Sequence, residues 1–208
     1  MTLHEWSAWV SAVLVIVGCV WYAYLAIRGK TKPVLASWIV MSSTAVLSYA
    51  TYWTSPKPSI ASNASNAATV VGGMVVILVV GWLQRNTVLF DDDQLLCLKI
   101  AAAIFVFWII LVWGFRRTGI APNVLTQFLM LIGHYITAKK LWRATKNTEP
   151  LFTWWCIMIA SIIAIYSASD ALAVLFAARA TVTSAMLVWL MHRISQKNRA
   201  IPLLSVET

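Results

Sequence analysis

Residues 18–49 read GCVWYAYLAIRGKTKPVLASWIVMSSTAVLSY, and residues 133–166 read GHYITAKKLWRATKNTEPLFTWWCIMIASIIAIY. The second stretch rewrites much of the first. Gly18 and Arg28 lie ten apart, as do Gly133 and Arg143. Pro33 is followed by Trp38, Met41, Thr44 and Tyr49, and Pro150 is followed at the same spacings by Trp155, Met158, Ser161 and Tyr166. Two extra residues in the second connecting loop separate the two registers. A duplicated unit of this kind sets the architecture before any single residue is interpreted.

Working outward, 61% of the 208 residues are hydrophobic and 11% are charged, where a soluble domain carries roughly 25% charged residues. The apolar residues gather in runs of about 18 to 23, enough to cross a hydrocarbon core of roughly 30 Å. Seven spans are expected: Trp6–Ile27, Val34–Trp53, Ala67–Gln84, Leu95–Phe115, Pro122–Trp142, Leu151–Ala168 and Ala171–Met191. Only helices satisfy the backbone of such open-ended segments in lipid, so the class is an all-α membrane protein. Pro33 and Pro150 precede their spans and Pro122 starts its own, in positions where a first-turn N–H has no intrahelical acceptor. Asp91, Asp92 and Asp93 precede span four, where a solvated cap on the helix dipole is preferred to a metal site. Cys19, Cys97 and Cys156 read as free thiols packed as small hydrophobes. The first apolar run has no basic segment before it, so no cleaved signal peptide is expected.

The net charge of +9 does not indicate nucleic acid, because the basic residues cluster at alternate span ends, as membrane orientation requires. One side holds Arg28, Lys30, Lys32, Arg85, Lys99, Lys139, Lys140, Arg143, Lys146, Arg193, Lys197 and Arg199. The other holds Lys57, Arg116 and Arg117, and Arg179 lies within a span. This places the N-terminus outside and the C-terminus in the cytoplasm, in a multi-pass protein of the bacterial inner-membrane kind. Spans one and five then cross in the same direction, so the two copies are parallel, and span four restores the orientation between them. The division is 1–85 for the first triple-helix bundle, 86–117 for the linker helix, 118–193 for the second bundle and 194–208 for a cytoplasmic tail. A site is expected at midplane between the bundles.

The 3+1+3 layout, the parallel repeat, and a helix ending in basic residues followed by KPVLASW resemble the SWEET and PQ-loop group of transporters. The PnuC vitamin transporters and the KDEL receptor share the outline. The Pro-Gln pair of the PQ-loop is replaced here by Gly18-Cys19 and Gly133-His134, and the pocket asparagines of SWEET proteins and the Trp- and Asn-rich motifs of PnuC are not evident. The resemblance therefore implies a fold and a transport mode, not a substrate class.

Arg179 is the sharpest candidate residue. It lies about halfway along span seven, where an ionised group costs at least ~2.5–3.5 kcal/mol. Asp170, nine residues earlier, falls on the opposite face of the helix. Arg179 would suit a substrate carboxylate or phosphate, or serve as a structural arginine satisfied by neighbouring helices. His134 and Gln127, seven apart, share a face of span five. His134 could donate to a solute or carry a proton, or pack as a hydrogen-bonded core histidine. Lys139 and Lys140 are expected to snorkel.

Met41 and Thr44, and their counterparts Met158 and Ser161, would form the cavity wall. Trp38 and Trp155 would stack on a solute or close an inner gate, or sit as interface tryptophans. Gly72 and Gly73 read as points of close helix approach. Gly18, Gly133, Pro33 and Pro150 are the expected gate or hinge points.

No nucleotide loop, HExxH motif, paired intramembrane carboxylates or Ser-His-Asp set is present, and no lysine for retinal lies in the last span. No enzyme activity, metal or cofactor is expected. The leading expectation is a facilitator working by alternating access on a small polar metabolite, sugar or vitamin, anionic where Arg179 would hold it. The alternative is a non-transporting receptor or assembly subunit on the same fold. The partners are the solute and membrane lipid, with self-association into a homo-oligomer left open.

Overall fold

A computed structural model describes residues 2–53, 58–86, 90–114 and 120–204. Its helices are α1 (Leu3–Ile27), α2 (Leu35–Tyr52), α3 (Ala64–Gln84, entered through a 3-10 turn at Ala61–Asn63), α4 (Asp92–Ile109, continued by a π turn over Ile110–Gly114), α5 (Ile120–Arg143), α6 (Leu151–Ser167) and α7 (Ala171–Leu204).

Their ends follow local rules. Thr2 and Glu5 form a capping box on α1, in which each side chain satisfies the other's backbone N–H. At the far end Gly29, at φ 64°, lets Lys30 N–H reach Leu25 and Gly29 N–H reach Ala26, a left-handed stop that a residue with a Cβ adopts poorly. Asp91 caps α4 by accepting from Gln94 N–H at 2.7 Å, and Asp170 caps α7 through Leu172 and Ala173 N–H. The Asp91–Asp93 run thus begins a helix, and its last member pairs with Lys139 at 2.6 Å. Among the described residues no three His, Cys, Asp or Glu side chains converge as a metal site. The three cysteines are free and buried.

Among the described residues, four helices are long and apolar enough to cross a membrane: Leu3–Ile27, Ala61–Gln84, Asp92–Trp113 and Ala171–Lys197. α6 is apolar but has 17 residues. The sequence reading expected seven such spans. α2 and α5 fall short because their inner faces carry Ser37, Ser42, Thr44 and Ser48, and Asn123, Thr126, Gln127 and His134, all buried. Polar residues turned inward lower a helix's mean hydropathy while leaving its outer face apolar.

Contacts between helix ends fix their directions. Lys32 N–H bonds Thr148 O, Gln84 bonds Pro33 O, and Asp93 pairs with Lys139. Arg193 lies over Trp142. The ends of α1, α3, α5 and α7 therefore meet the starts of α2, α4 and α6 at one Lys/Arg-rich end. At the other, His4 stacks on Tyr166 at 4.8 Å and Ser62 bonds Ser169.

The principal pairings are α1 with α3 and α6, α2 with α3 and α5, and α7 with α5 and α6. Exchanging α1, α2, α3 for α5, α6, α7 leaves this set unchanged. α4 packs against α5 and α2 from outside and buries only Cys97 and Trp108. The core accordingly lies where α1, α2, α3, α5, α6 and α7 converge.

Candidate functional site

Two joints hold the centre together. Where α2 meets α5, Ser37 Oγ donates to Gly133 O at 2.6 Å, and a Cβ on Gly133 would come within 2.5 Å of Met41 Cγ and 3.2 Å of Met41 N. Where α6 meets α1, Thr153 Oγ1 donates to Gly18 O at 3.0 Å, and a Cβ on Gly18 would lie 3.1 Å from Cys156 Cβ and 3.3 Å from Thr153 O. Each joint is a hydroxyl bonded to the carbonyl of a glycine whose missing side chain admits the neighbouring backbone. They match Gly18 with Gly133, and Ser37 with Thr153.

Between the joints lies a cavity of about 50 Å³. The same matching generates its wall in pairs. α1 and α5 supply Val15 with Met130 and Cys19 with His134. α2 and α6 supply Trp38 with Trp154 and Met41 with Ile157. With Gly72 set against Arg179, α3 and α7 supply Thr69 with Phe176 and Gly73 with Ala180. Ser42, Ser65, Ser161 and Arg179 complete the lining. Larger hollows of about 370, 310 and 400 Å³ lie elsewhere, against α4 or between the outer faces of α5 and α7.

Five of the residues expected at the site meet here: Arg179, His134, Trp38, Met41 and Ser161. Gln127 stands one step behind, where its Oε1 accepts from Arg179 Nε at 3.0 Å and its amide nitrogen donates to Asn123 Oδ1 at 3.0 Å. The guanidinium carbon lies 5.0 Å from the Phe176 ring centre. His134 Nδ1 is 2.8 Å from Met130 O; a carbonyl only accepts, so Nδ1 carries the proton.

The expected places of Trp155, Met158 and Thr44 on the cavity wall are corrected. Trp155 is 43% exposed and Met158 lies outside the cavity wall. Their neighbours Trp154 and Ile157 occupy the places assigned to them. The cause is one residue of register: Pro150 itself caps α6, whereas Val34 follows Pro33 before α2 begins. One residue turns a helix by about 100°. Thr44 donates to Val40 O at 2.6 Å and faces the groove shared with α4. Gly18 and Gly133 sit in mid-helix at the two joints, while Pro33 O accepts from Gln84 and so ties the α1–α2 loop to α3. Gly72 and Gly73 are close-approach points, against Cys19 and Ser42.

Lys140 does not snorkel. Its Nζ bonds Glu149 Oε1 at 2.8 Å and also the Lys32 carbonyl. Thr31 Oγ1 donates to Thr148 O at 2.7 Å, so the α1–α2 and α5–α6 loops are latched together. The Glu149 side chain is 1% exposed and faces the Tyr22 hydroxyl and Trp154 indole. Burial holds its carboxyl above the usual carboxylate range, opposed by Lys140. Above the latch, Tyr22 packs edge-on to Trp38, Trp38 stacks on Trp154, and Trp154 meets His134 edge-on. The aromatic cluster thus runs from the latched loops to the cavity wall, where Trp38, Trp154 and His134 stand.

Sequence reasoning missed Trp154, Ser42, Cys19 and Glu149. The one available signal was Glu149, an acid in an otherwise basic loop. Compared with known proteins, the chain matches no protein-family model, no curated protein and no solved structure.

Proposed function

We propose that the protein is a small-solute carrier in which all seven helices cross the membrane in a 3+1+3 arrangement, with the N-terminus outside and the C-terminus in the cytoplasm. The two triplets would rock about the central cavity, opening it to each side in turn, as a facilitator without ion coupling or catalysis. One observation carries this reading: a cavity lined by matched residues of α1–α3 and α5–α7, with a cation on its wall. The alternating helix directions and the pairings preserved on exchange support the layout. The resemblance to the SWEET and PQ-loop group supports the transport mode. A bacterial inner membrane fits the distribution of Lys and Arg.

A receptor or assembly subunit on the same fold is the second reading. It draws support from the modest cavity volume and from the exposed apolar face of α4, including Leu96, Ile100, Phe107 and Trp113.

Accessibility separates the two. In a chain freed of its three cysteines, Ser161→Cys is expected to react with a small membrane-impermeant methanethiosulfonate applied from at least one side. The second reading requires it to stay unreactive from both.

A further inference from the structure

We infer that the central cavity binds a small monovalent anion of a few heavy atoms, held by Arg179 and Ser42. This deepens the carrier reading by naming the class of solute, although the site itself does not depend on transport.

Charge comes first. The ion pairs among the described residues join Lys139 and Arg143 to Asp93, and Lys140 to Glu149; none includes Arg179. Asp170, the acid nearest in sequence, spends one carboxylate oxygen on the N-terminus of α7. The partners of Arg179 are a neutral amide and an aromatic face. A guanidinium carries five N–H donors, and the one hydrogen bond it makes among the described residues uses only Nε. The Asn123–Gln127 contact pins that amide with its oxygen toward Arg179, so the guanidinium has a fixed orientation and unused donors. A part-buried cation left this way on the wall of a cavity within a hydrophobic span is costly, and a bound anion lowers the cost.

Ser42 is the independent sign of a ligand. The cavity hydroxyls of Thr69 and Ser161 bond the carbonyl four residues back. Ser42 Oγ, in a residue 1% exposed, bonds nothing among the described residues. A buried orphan hydroxyl on the cavity wall is a donor awaiting an acceptor.

Charge number and size narrow the class. Arg179 is the one Lys or Arg side chain on the cavity wall among the described residues. One guanidinium therefore favours a single negative charge over sulfate or a dicarboxylate. About 50 Å³ holds roughly three or four waters at the ~15 Å³ each requires. A halide, nitrate, formate or hydrogencarbonate ion fits; a sugar or vitamin does not fit the cavity as it stands.

The test uses the full chain in detergent with gluconate as the only anion, titrated with chloride, nitrate, formate, hydrogencarbonate or sulfate while thermal unfolding is followed. A saturable rise in Tm is expected with at least one small monovalent anion and none with sulfate. Arg179→Gln should abolish the rise, and Ser42→Ala should weaken the apparent affinity about 3- to 10-fold. If Arg179→Gln does not fold, the Ser42→Ala shift decides. No saturable rise with any of these anions, or a rise unaltered in both variants, overturns the assignment. Reactive Ser161→Cys without an anion response would leave the carrier standing and remove this ligand. An Arg179-dependent response with unreactive Ser161→Cys would keep the ligand and remove the carrier.

Discussion

The walls contributed by α1–α3 and α5–α7 are built alike and furnished differently. Both rest on the same joint, a hydroxyl on a glycine carbonyl, at Ser37–Gly133 and Thr153–Gly18. On that shared frame the first triplet presents Cys19, Thr69 and Gly73, and the second presents His134, Phe176 and Ala180. Gly72 stands where the other side has Arg179. The joints tolerate little change because helix backbones touch there. The positions facing the cavity are released from that constraint. Two arginines across so small a cavity would repel each other, whereas one arginine gives the cavity a direction. The difference teaches that geometry is duplicated here and chemistry is not.

The largest effect expected bears on how α2 and α6 are matched. Trp154→Ala should cost about 3–5 kcal/mol by opening a cavity in the core, while Trp155→Ala, at a half-exposed site, should cost about 0.5 kcal/mol or less. Equal losses in unfolding experiments would break the pairing of Trp154 with Trp38.

Next come the joints. Gly133→Ala and Gly18→Ala should each cost about 1–3 kcal/mol through overpacking, with Gly133 the worse because its clash distance is 2.5 Å against 3.1 Å. Reversed order in the two melting temperatures would mean that the helices at Gly18 are the tighter pair. Removing the hydroxyls sharpens the same comparison. Ser37→Ala and Thr153→Val should each lose about 0.6 kcal/mol, the average for hydrogen bonds between membrane helices, and a difference of twofold or more would show the joints to be unequal.

The smallest effect concerns the latch. Because burial raises the folded-state pKa of Glu149, the neutral acid is the form the fold prefers. Its contribution to stability is fully present in acid and is lost as pH rises through the raised value. Melting temperatures followed from about pH 4.5 to neutrality should show wild type losing ground to Glu149→Gln. A constant gap would mean that the carboxyl is not desolvated.

Helix existence was legible because apolar length, Pro33, Pro150 and the Asp91 cap are local signals. The meeting of Arg179, His134 and Gln127 was half legible: a seven-residue spacing puts His134 and Gln127 on one face, but nothing in the chain says that α7 lies beside it. The choice between Trp154 and Trp155 was not legible, since the adjacent tryptophans are chemically identical and only the helix start decides which faces inward. Glu149 escaped because burial of a loop acid depends on a second loop folding over it.

By itself, then, the sequence determined what short-range physics controls: an all-helical, apolar chain, a repeated pattern of turn and aromatic residues, and one arginine stranded in a hydrophobic run. Tertiary structure decided which residues share the cavity, which glycines are contact points, and that Lys140 holds a buried acid instead of reaching for water. The reason is rotational: one residue at a helix start swings every later side chain by about 100°, and only packing against a neighbour selects among the results.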